Sequence, residues 1–204
     1  MGFYSNFIFP RLCDLALGSR VVSEHRSKLL SEVRGTVLEI GFGTGLNLPH
    51  YPKEIREITA IDPNGGAARI AQKRIAEAGI AVDLRRISGE QLPFDPESFD
   101  CVVSTFTLCS IEDVHQAMCE VIRVLRPNGK FLFLEHGISP DPKVQLWERR
   151  LNGLQQWFGD GCHLTRNIGE LVASQPFASV DSTESYLEKV PKTHGYIYRG
   201  FARK

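Results

Sequence analysis

A glycine-rich stretch follows a short apolar run near residue 40, and that run contains a carboxylate. The sequence there is VLEIGFGTG, with Glu39 inside the run and glycine at Gly41, Gly43 and Gly45. Glycines let a ligand approach the backbone closely, and an ionised carboxylate among apolar residues is costly without a partner. A glycine turn without a ligand is the simple alternative. The pattern favours a ligand that carries a positive charge.

The spacing of these glycines excludes two phosphate-binding loops. The dinucleotide fingerprint GxGxxG requires glycine where this chain has Leu46, and the phosphate loop GxxxxGK[ST] is absent. A dehydrogenase that binds a dinucleotide is therefore disfavoured. A glycine loop with a carboxylate but no phosphate-binding features suits a cationic ligand that lacks phosphate.

Asp62 closes the next apolar run and lies 21 residues after Gly41. Open α/β sheets bind ligands outside the carboxyl ends of their parallel strands, where an acid can accept hydrogen bonds from both hydroxyls of a ribose. A purely structural role in the Asp62-Pro63 turn is the alternative. Taken together with the glycine loop, the position of Asp62 predicts that it binds a ribose.

Reactive side chains of the second half lie after strands and in one polar loop. Thr105 and Phe106 follow the fourth predicted strand, His136 ends the fifth, and Cys162 lies in the segment GDGCHLTR. His136 is either a general base or acceptor-orienting group, or a structural histidine. Cys109 is interpreted as a packing residue, whereas Cys162, in its polar loop, is a candidate for chemistry.

The elements that position these residues alternate between strands and helices. Short apolar runs predict strands at 36–40, 58–61, 82–87, 99–104 and 130–135, and helical spacing predicts helices at 21–33, 67–78 and 113–125, with a turn at 126–129. This alternation implies a parallel sheet with right-handed crossovers. The last third predicts helices at 140–158 and 165–173 and closing strands at 180–187 and 196–202. We expect one α/β domain over residues 1–204.

Composition excludes several classes of protein. The 24 basic residues balance the 24 acidic ones, which argues against binding of nucleic acid through bulk charge. No run of 18 apolar residues occurs, so no membrane span is expected. The Phe- and Leu-rich start is expected to pack as a helix, with a lid or a weak peripheral membrane contact as alternatives. The five cysteines include no CxxC pair, which predicts free thiols, no metal site and a reducing, cytoplasmic compartment.

Taken in order, these features resemble the class I S-adenosylmethionine-dependent methyltransferases of the type 11 group. The resemblance rests on the ExGxGxG loop, the acid at Asp62, the segment SGEQLPF and the segment RVLRPNGK before the fifth strand. It implies a Rossmann-like seven-stranded sheet in the order 3-2-1-4-5-7-6, with strand 7 antiparallel and helices on both faces. It also implies S-adenosylmethionine as cofactor and S-adenosylhomocysteine as product. The N-terminal helical segment is then 1–34, the cofactor-binding half 35–136, and the acceptor-side insertion with closing strands 137–204.

The resemblance also assigns the cofactor contacts to the loop, the acid, the SGEQ segment and the end of the fourth strand. They are Glu39, Gly41, Phe42, Gly43, Gly45, Asp62, Pro63, Gly89, Glu90, Gln91, Thr105 and Phe106. One departure concerns the amino group of adenine, because Ser88 stands where many relatives carry Asp. Glu90 or the backbone of Gly89 could substitute.

The second half resembles the methyltransferase-like alkyl-thiol S-methyltransferases through the phrases TLCS, EH, GCxLTR and the closing HGY. This implies a small thiol or sulfide as acceptor, with His136 and Cys162 as catalytic residues. We expect the acceptor to lie between Phe106, Trp147, Trp157 and the Cys162 loop, in a monomer or homodimer. A quinone-like carbon or a lipid amine as acceptor, and a non-catalytic cofactor-binding module, are the alternatives.

Overall fold

Seven strands form one sheet in the computed structural model, which describes residues 2–204. They are β1 (Val37–Ile40), β2 (Glu57–Ile61), β3 (Ala81–Arg85), β4 (Phe99–Thr105), β5 (Leu125–His136), β6 (Ser179–Tyr186) and β7 (Tyr196–Arg203). Across the sheet the order is β3-β2-β1-β4-β5-β7-β6. Neighbours among the first five strands pair in parallel, and β7 runs antiparallel to both of its neighbours. The predicted strand order and the antiparallel seventh strand are confirmed.

Helices connect the strands and cover the sheet. They are α1 (Phe9–Leu17), α2 (Arg20–Leu30), α3 (Gly65–Glu77), α4 (Val114–Val124), α5 (Pro142–Phe158), α6 (Ile168–Ala173) and α7 (Lys192–Gly195), with a π-helical turn at Tyr4–Ile8 and a 3₁₀ turn at Leu48–His50. Side-chain oxygens of Asn64 and Asp113 cap the first N–H groups of α3 and α4, which fixes where both helices begin. Within residues 2–204, no helix combines the length and the apolar character needed to cross a membrane.

The two faces of the central strands bury separate apolar clusters. Along β5, Phe131 and Phe133 pack into one cluster, while Leu132 and Leu134 pack into the other. This division arises because successive side chains of a strand point to opposite faces. All four side chains are fully buried. A strand that is apolar on both faces needs cover on both faces, so helices flank the sheet on either side.

Several boundaries differ from the sequence predictions: α2 ends at Leu30 rather than at 33, and β3 ends at Arg85 rather than at 87. Two further differences have a local cause. The helix predicted at 165–173 begins only at Ile168, because Asn167 caps it and the guanidinium of Arg166 is held by the carbonyl oxygen of Leu108. The turn predicted at 126–129 lies inside β5, where the pairing with β4 shifts register. Asn128 supplies the turn conformation there, with φ at 64°.

Candidate active site

The glycine loop lies at the carboxyl end of β1 and is held against the end of β2. The N–H groups of Gly41 and Phe42 both donate to the carbonyl oxygen of Ile61, at 2.9 and 3.1 Å. Gly41 has φ at 73°, and a Cβ there would lie 1.9 Å from Oγ1 of Thr107. A Cβ on Gly43 would meet nothing closer than 3.9 Å. The loop therefore requires glycine at Gly41 for its close packing, while Gly43 leaves the backbone open to a ligand.

Asp62 follows β2, and its carboxylate braces the loop. Oδ2 accepts the N–H of Gly43 and Oδ1 that of Asn64, both at 2.7 Å. The residue is 8% exposed, and burial raises its pKa although the two N–H bonds favour the ionised form. Each carboxylate oxygen has a second lone pair, so both can accept another donor from the cavity side. That free capacity is what a ribose-binding acid needs.

Glu39 is buried beneath the loop, and its partners belong to the protein. Its carboxylate accepts hydrogen bonds from Nδ2 of Asn47 at 2.9 Å and from the hydroxyl of Tyr51 at 2.6 Å. Burial raises the pKa of Glu39 to about 7, against the effect of these bonds and of Arg26 nearby. A cationic ligand is thus not required as its partner. Its role toward a cofactor stays a prediction, and any such role would act through Asn47.

Arg26 of α2 is a buried cation at the wall of a cavity. Nη1 donates to Oδ1 of Asn47 at 2.5 Å and to Oγ1 of Thr105 at 2.8 Å, and the guanidinium lies 5.5 Å from the centre of the Phe106 ring. The residue is 3% exposed, yet its Nε has no hydrogen-bond partner within residues 2–204. A buried guanidinium with an unused donor suits an anionic group of a ligand. The sequence did not indicate this site, since an arginine in an amphipathic helix usually faces solvent.

The cavity has a volume of about 470 Å³ and lies among the glycine loop, the ends of β2 and β4, and α1. This volume is in the range of small-molecule sites. Among the predicted cofactor residues, Glu39, Gly45 and Gln91 do not line it: Gly45 donates within the loop to the carbonyl of Phe42, and Gln91 borders a separate depression beside Arg123. The predicted residues that do line it are Gly41, Phe42, Gly43, Asp62, Pro63, Gly89, Glu90, Thr105 and Phe106.

The segment after β3 presents a fixed carboxylate to the cavity. Oε2 of Glu90 accepts the hydroxyl of Ser88 at 2.9 Å, and Oε1 accepts the N–H of Asp113 at 2.8 Å. Ser88, Gly89 and Glu90 all line the cavity. Glu90 is therefore available as an acceptor beside Ser88.

Helix α1 forms one wall of the cavity. Asp14 holds it to the glycine loop, because its Oδ1 accepts the hydroxyl of Thr44 at 2.6 Å and pairs with Arg74 at 2.7 Å. The hydroxyl of Ser5 donates to Oδ1 of Asp160 at 2.8 Å, which ties the N-terminal segment to the loop after α5. The predicted helical segment thus packs directly over the candidate site. Its residues at the wall are Phe9, Pro10, Cys13 and Leu17.

Glu135 of β5 organises the loop that follows β4. Its carboxylate accepts the hydroxyl of Ser104 at 2.7 Å and the N–H groups of Thr107 and Leu108 at 2.8 and 3.1 Å. Burial raises the pKa of Glu135 to about 7. Phe106, in this loop, has φ at 53°, a conformation that a bulky residue rarely adopts. A carboxylate inside an apolar strand, the same signal as at Glu39, could have identified Glu135 from the sequence.

Cys109, His136 and Cys162 meet at the ends of β4 and β5, although they come from three segments of the chain. Sγ of Cys162 lies 3.5 Å from Sγ of Cys109 and 4.0 Å from Nδ1 of His136. The bond between the thiols lowers the pKa of Cys162 and raises that of Cys109, and His136 lowers that of Cys162 further. The structure thus brings both predicted catalytic residues together, beside the cavity rather than in its wall, and adds Cys109.

The two tryptophans do not contribute to the cavity. Trp147 and Trp157 of α5 are 54% and 73% exposed, and neither lines the cavity. The prediction that they form walls of the acceptor pocket is wrong in this structure. The buried face of α5 is occupied by Val144 and Glu148, which leaves both indoles on other sides of the helix.

Residues 38–133 match the family described as a methyltransferase domain. Similar curated proteins include thiol S-methyltransferase TMT1B of Rattus norvegicus, 36% identical over 149 residues, and TMT1A of Homo sapiens, 34% identical over 149 residues; each match covers 71% of this chain and 61% of that protein. The ubiquinone/menaquinone biosynthesis C-methyltransferase UbiE of Bartonella henselae is 28% identical over 180 residues, which is 82% of this chain and 64% of that protein. The chain spans 61–64% of the length of these relatives.

A similar solved structure is that of an S-adenosylmethionine-dependent methyltransferase of Thermotoga maritima. It has a TM-score of 0.67 and 18% sequence identity, and the match covers 98% of each chain. At this identity the likeness concerns the fold alone. It agrees with the strand order of the sheet.

Proposed function

We propose that this chain, in which residues 38–133 match a methyltransferase domain and whose sheet has the class I methyltransferase order, transfers the methyl group of S-adenosylmethionine to a small thiol or sulfide. The observation that carries the donor side is the braced Asp62 carboxylate beside the open glycine loop. The thiol acceptor is supported by the similarity to thiol S-methyltransferases over 71% of the chain. In this proposal residues 35–136 hold the cofactor and residues 137–204 supply the acceptor side.

The cofactor is expected to lie along the cavity with its ribose hydroxyls donating to Asp62. The adenine would then contact Gly89 and Glu90, which line the cavity after β3. The carboxylate of the methionine part is an anion, and the guanidinium of Arg26, which lines the cavity, is a matching donor. Asn47 bonds both Arg26 and Glu39, so the buried Glu39 would fix the orientation of that donor.

Transfer is an in-line displacement at the methyl carbon. The acceptor sulfur forms the new carbon–sulfur bond while the bond to the sulfonium sulfur breaks, which leaves S-adenosylhomocysteine, and the thiol proton passes to water. The protein contributes alignment and exclusion of water more than proton removal, because a thiol of pKa about 8.5 is partly ionised near neutrality. We expect Thr105 and Phe106 to border the methyl group, with His136 and Cys162 on the acceptor side.

An apolar ring carbon or a lipid amine is the second candidate acceptor. The C-methyltransferase relative favours it, and so does the apolar wall that Phe9, Pro10 and Leu17 of α1 give the cavity. A non-catalytic cofactor-binding module would show binding of the cofactor without any methylated product.

The test is methyl transfer from tritiated S-adenosylmethionine to a panel of acceptors. The panel contains hydrogen sulfide, a short alkanethiol, a hydroxylated quinol and phosphatidylethanolamine vesicles, with Asp62→Ala as the control for dependence on the bound donor. We expect label in the methylated thiol or sulfide, lost in the variant. Label in the quinol or the lipid but in no thiol refutes the thiol acceptor, and label nowhere despite cofactor binding refutes the activity.

A further inference from the structure

Three side chains with metal-binding atoms converge beside the cavity, from three different elements. Cys109 lies in the loop after β4, His136 ends β5, and Cys162 lies in the loop after α5. Their ligand atoms all lie within 4.8 Å of one another. Cys109 and His136 are buried and Cys162 is half-buried. Two thiols and an imidazole are the ligands that zinc prefers in proteins.

The imidazole of His136 is poorly satisfied by the protein. The residue is 7% exposed, yet its Nε2 has no hydrogen-bond partner in the described part of the chain, residues 2–204. Its Nδ1 faces the sulfur of Cys162 at 4.0 Å, the long limit of a hydrogen bond to sulfur. Buried polar groups in native proteins are nearly always paired. Nδ1, the nitrogen that faces the thiols, is the one placed to donate an electron pair to a metal ion.

The separations agree with tetrahedral zinc. Zinc–sulfur bonds of about 2.3 Å and zinc–nitrogen bonds of about 2.0–2.1 Å place neighbouring ligand atoms roughly 3.5–3.8 Å apart at tetrahedral angles. The sulfurs of Cys109 and Cys162 are 3.5 Å apart, and Cys162 and His136 are separated by 4.0 Å. Binding would therefore need only small shifts of these side chains.

We propose that Cys109, His136 and Cys162 bind one zinc ion whose fourth coordination position is open toward the cavity. Zinc sites with three protein ligands keep such a position for water or substrate, whereas structural sites have four. A residue of the cavity wall, Ser110, adjoins the cluster, since its hydroxyl lies 3.6 Å from the sulfur of Cys109.

We infer that the acceptor thiol binds zinc at the open position. This inference rests on the proposed thiol methylation. An acceptor thiol RSH would bind zinc as the thiolate and release its proton to water. The bound sulfur would form the bond to the methyl carbon as the bond to the sulfonium sulfur breaks, and the neutral thioether RSCH₃, a weaker ligand, would leave. Zinc keeps its oxidation state throughout, so no oxidant or reductant is needed.

Zinc binding is measured on the reduced full chain, in experiments that do not depend on methyl transfer. Metal content by plasma mass spectrometry and titration against a chromophoric chelator give stoichiometry and affinity, and the Co²⁺ form reports thiolate ligands through sulfur-to-metal charge-transfer bands. We expect one equivalent of zinc. Cys162→Ser and His136→Gln should each weaken binding by more than the roughly 10–100-fold that loss of an outer-shell partner costs. Cys119→Ser, at an exposed thiol outside the cluster, is the matched control and should leave binding unchanged.

The site is overturned if the reduced wild type takes up no zinc, or if folded Cys162→Ser binds zinc with the affinity of the wild type. A Cys109–Cys162 disulfide that persists in the mass spectrum after reduction overturns it as well. Circular dichroism checks the fold of each variant. If the His136 variant does not fold, the test rests on Cys162→Ser, because Cys162 lies in a half-buried loop. Zinc binding without thiol methylation keeps the site and refutes the proposed acceptor, whereas full thiol methylation by metal-free protein refutes the open-position step alone.

Discussion

Replacement of Asp62 by alanine tests the cofactor site at its most constrained point. The substitution removes the proposed acceptor of both ribose hydroxyls, and hydrogen bonds to a charged group contribute about 1.5–3 kcal/mol each. Loss of one bond alone weakens binding roughly tenfold, and loss of both adds a further factor of about ten or more. The N–H groups of Gly43 and Asn64 also lose their acceptor, at 2.7 Å each, so the loop becomes less ordered and the effect grows.

The assay is calorimetric titration with S-adenosylhomocysteine at neutral pH. Asp83→Ala is the matched control, since Asp83 is an acid of the adjacent strand β3 whose partner is Arg85. It should bind like the wild type. Asp62→Glu, which keeps the charge but displaces it by one methylene, should fall between the two. Unchanged affinity in an Asp62→Ala protein of near-normal melting temperature would refute the ribose role.

Three further predictions concern the surroundings of this site. Arg26→Gln should weaken binding of S-adenosylhomocysteine by about tenfold or more but leave methylthioadenosine, which lacks the carboxylate, nearly unaffected; equal losses for both ligands would contradict the proposed contact. Asp14→Ala breaks the 2.7 Å pair with Arg74 and should speed dissociation of S-adenosylhomocysteine in stopped-flow measurements, at a cost below about 1 kcal/mol in affinity; an unchanged rate would argue against α1 as a retaining wall. The pKa of Glu39 is raised from 4.5 to about 7 in the folded chain, so the stability it contributes is present below pH 4.5 and is lost as pH rises toward 7. The free energy of unfolding is measured in urea for the wild type and for Glu39→Gln. The difference, wild type minus variant, should fall between pH 4.5 and 7 by up to about 1.4 kcal/mol per pH unit. A constant difference would show that Glu39 does not titrate in this range.

Much of the candidate cofactor site could be predicted from the sequence, because its residues lie in short motifs directly after individual strands. The glycine loop and Asp62 follow successive strands, and neighbouring parallel strands bring their carboxyl ends to the same edge of the sheet. The order of strands beyond the fifth came from the family resemblance, since alternation of strands and helices alone does not determine where the last two strands pair.

The remaining site residues depend on packing between distant segments. Arg26 bonds Thr105 across 79 positions of the chain, and Cys109 meets Cys162 across 53. No periodicity encodes such contacts, and residue type misleads when taken alone. An arginine is usually expected at the surface, yet Arg26 is buried. A tryptophan is usually expected in the interior, yet Trp157 of α5 is exposed.

The wall formed by α1 links the order of the N-terminal segment to occupancy of the cavity. A ligand that contacts α1 binds the docked segment better than a detached one, so it must shift the segment toward docking. The linkage is reciprocal, because whatever free energy the ligand adds to docking, docking adds to the affinity for the ligand. We therefore expect changes at Ser5 or Asp14, far in sequence from the glycine loop, to alter how long a nucleoside ligand stays bound, and a bound nucleoside to protect the first helix from proteolysis.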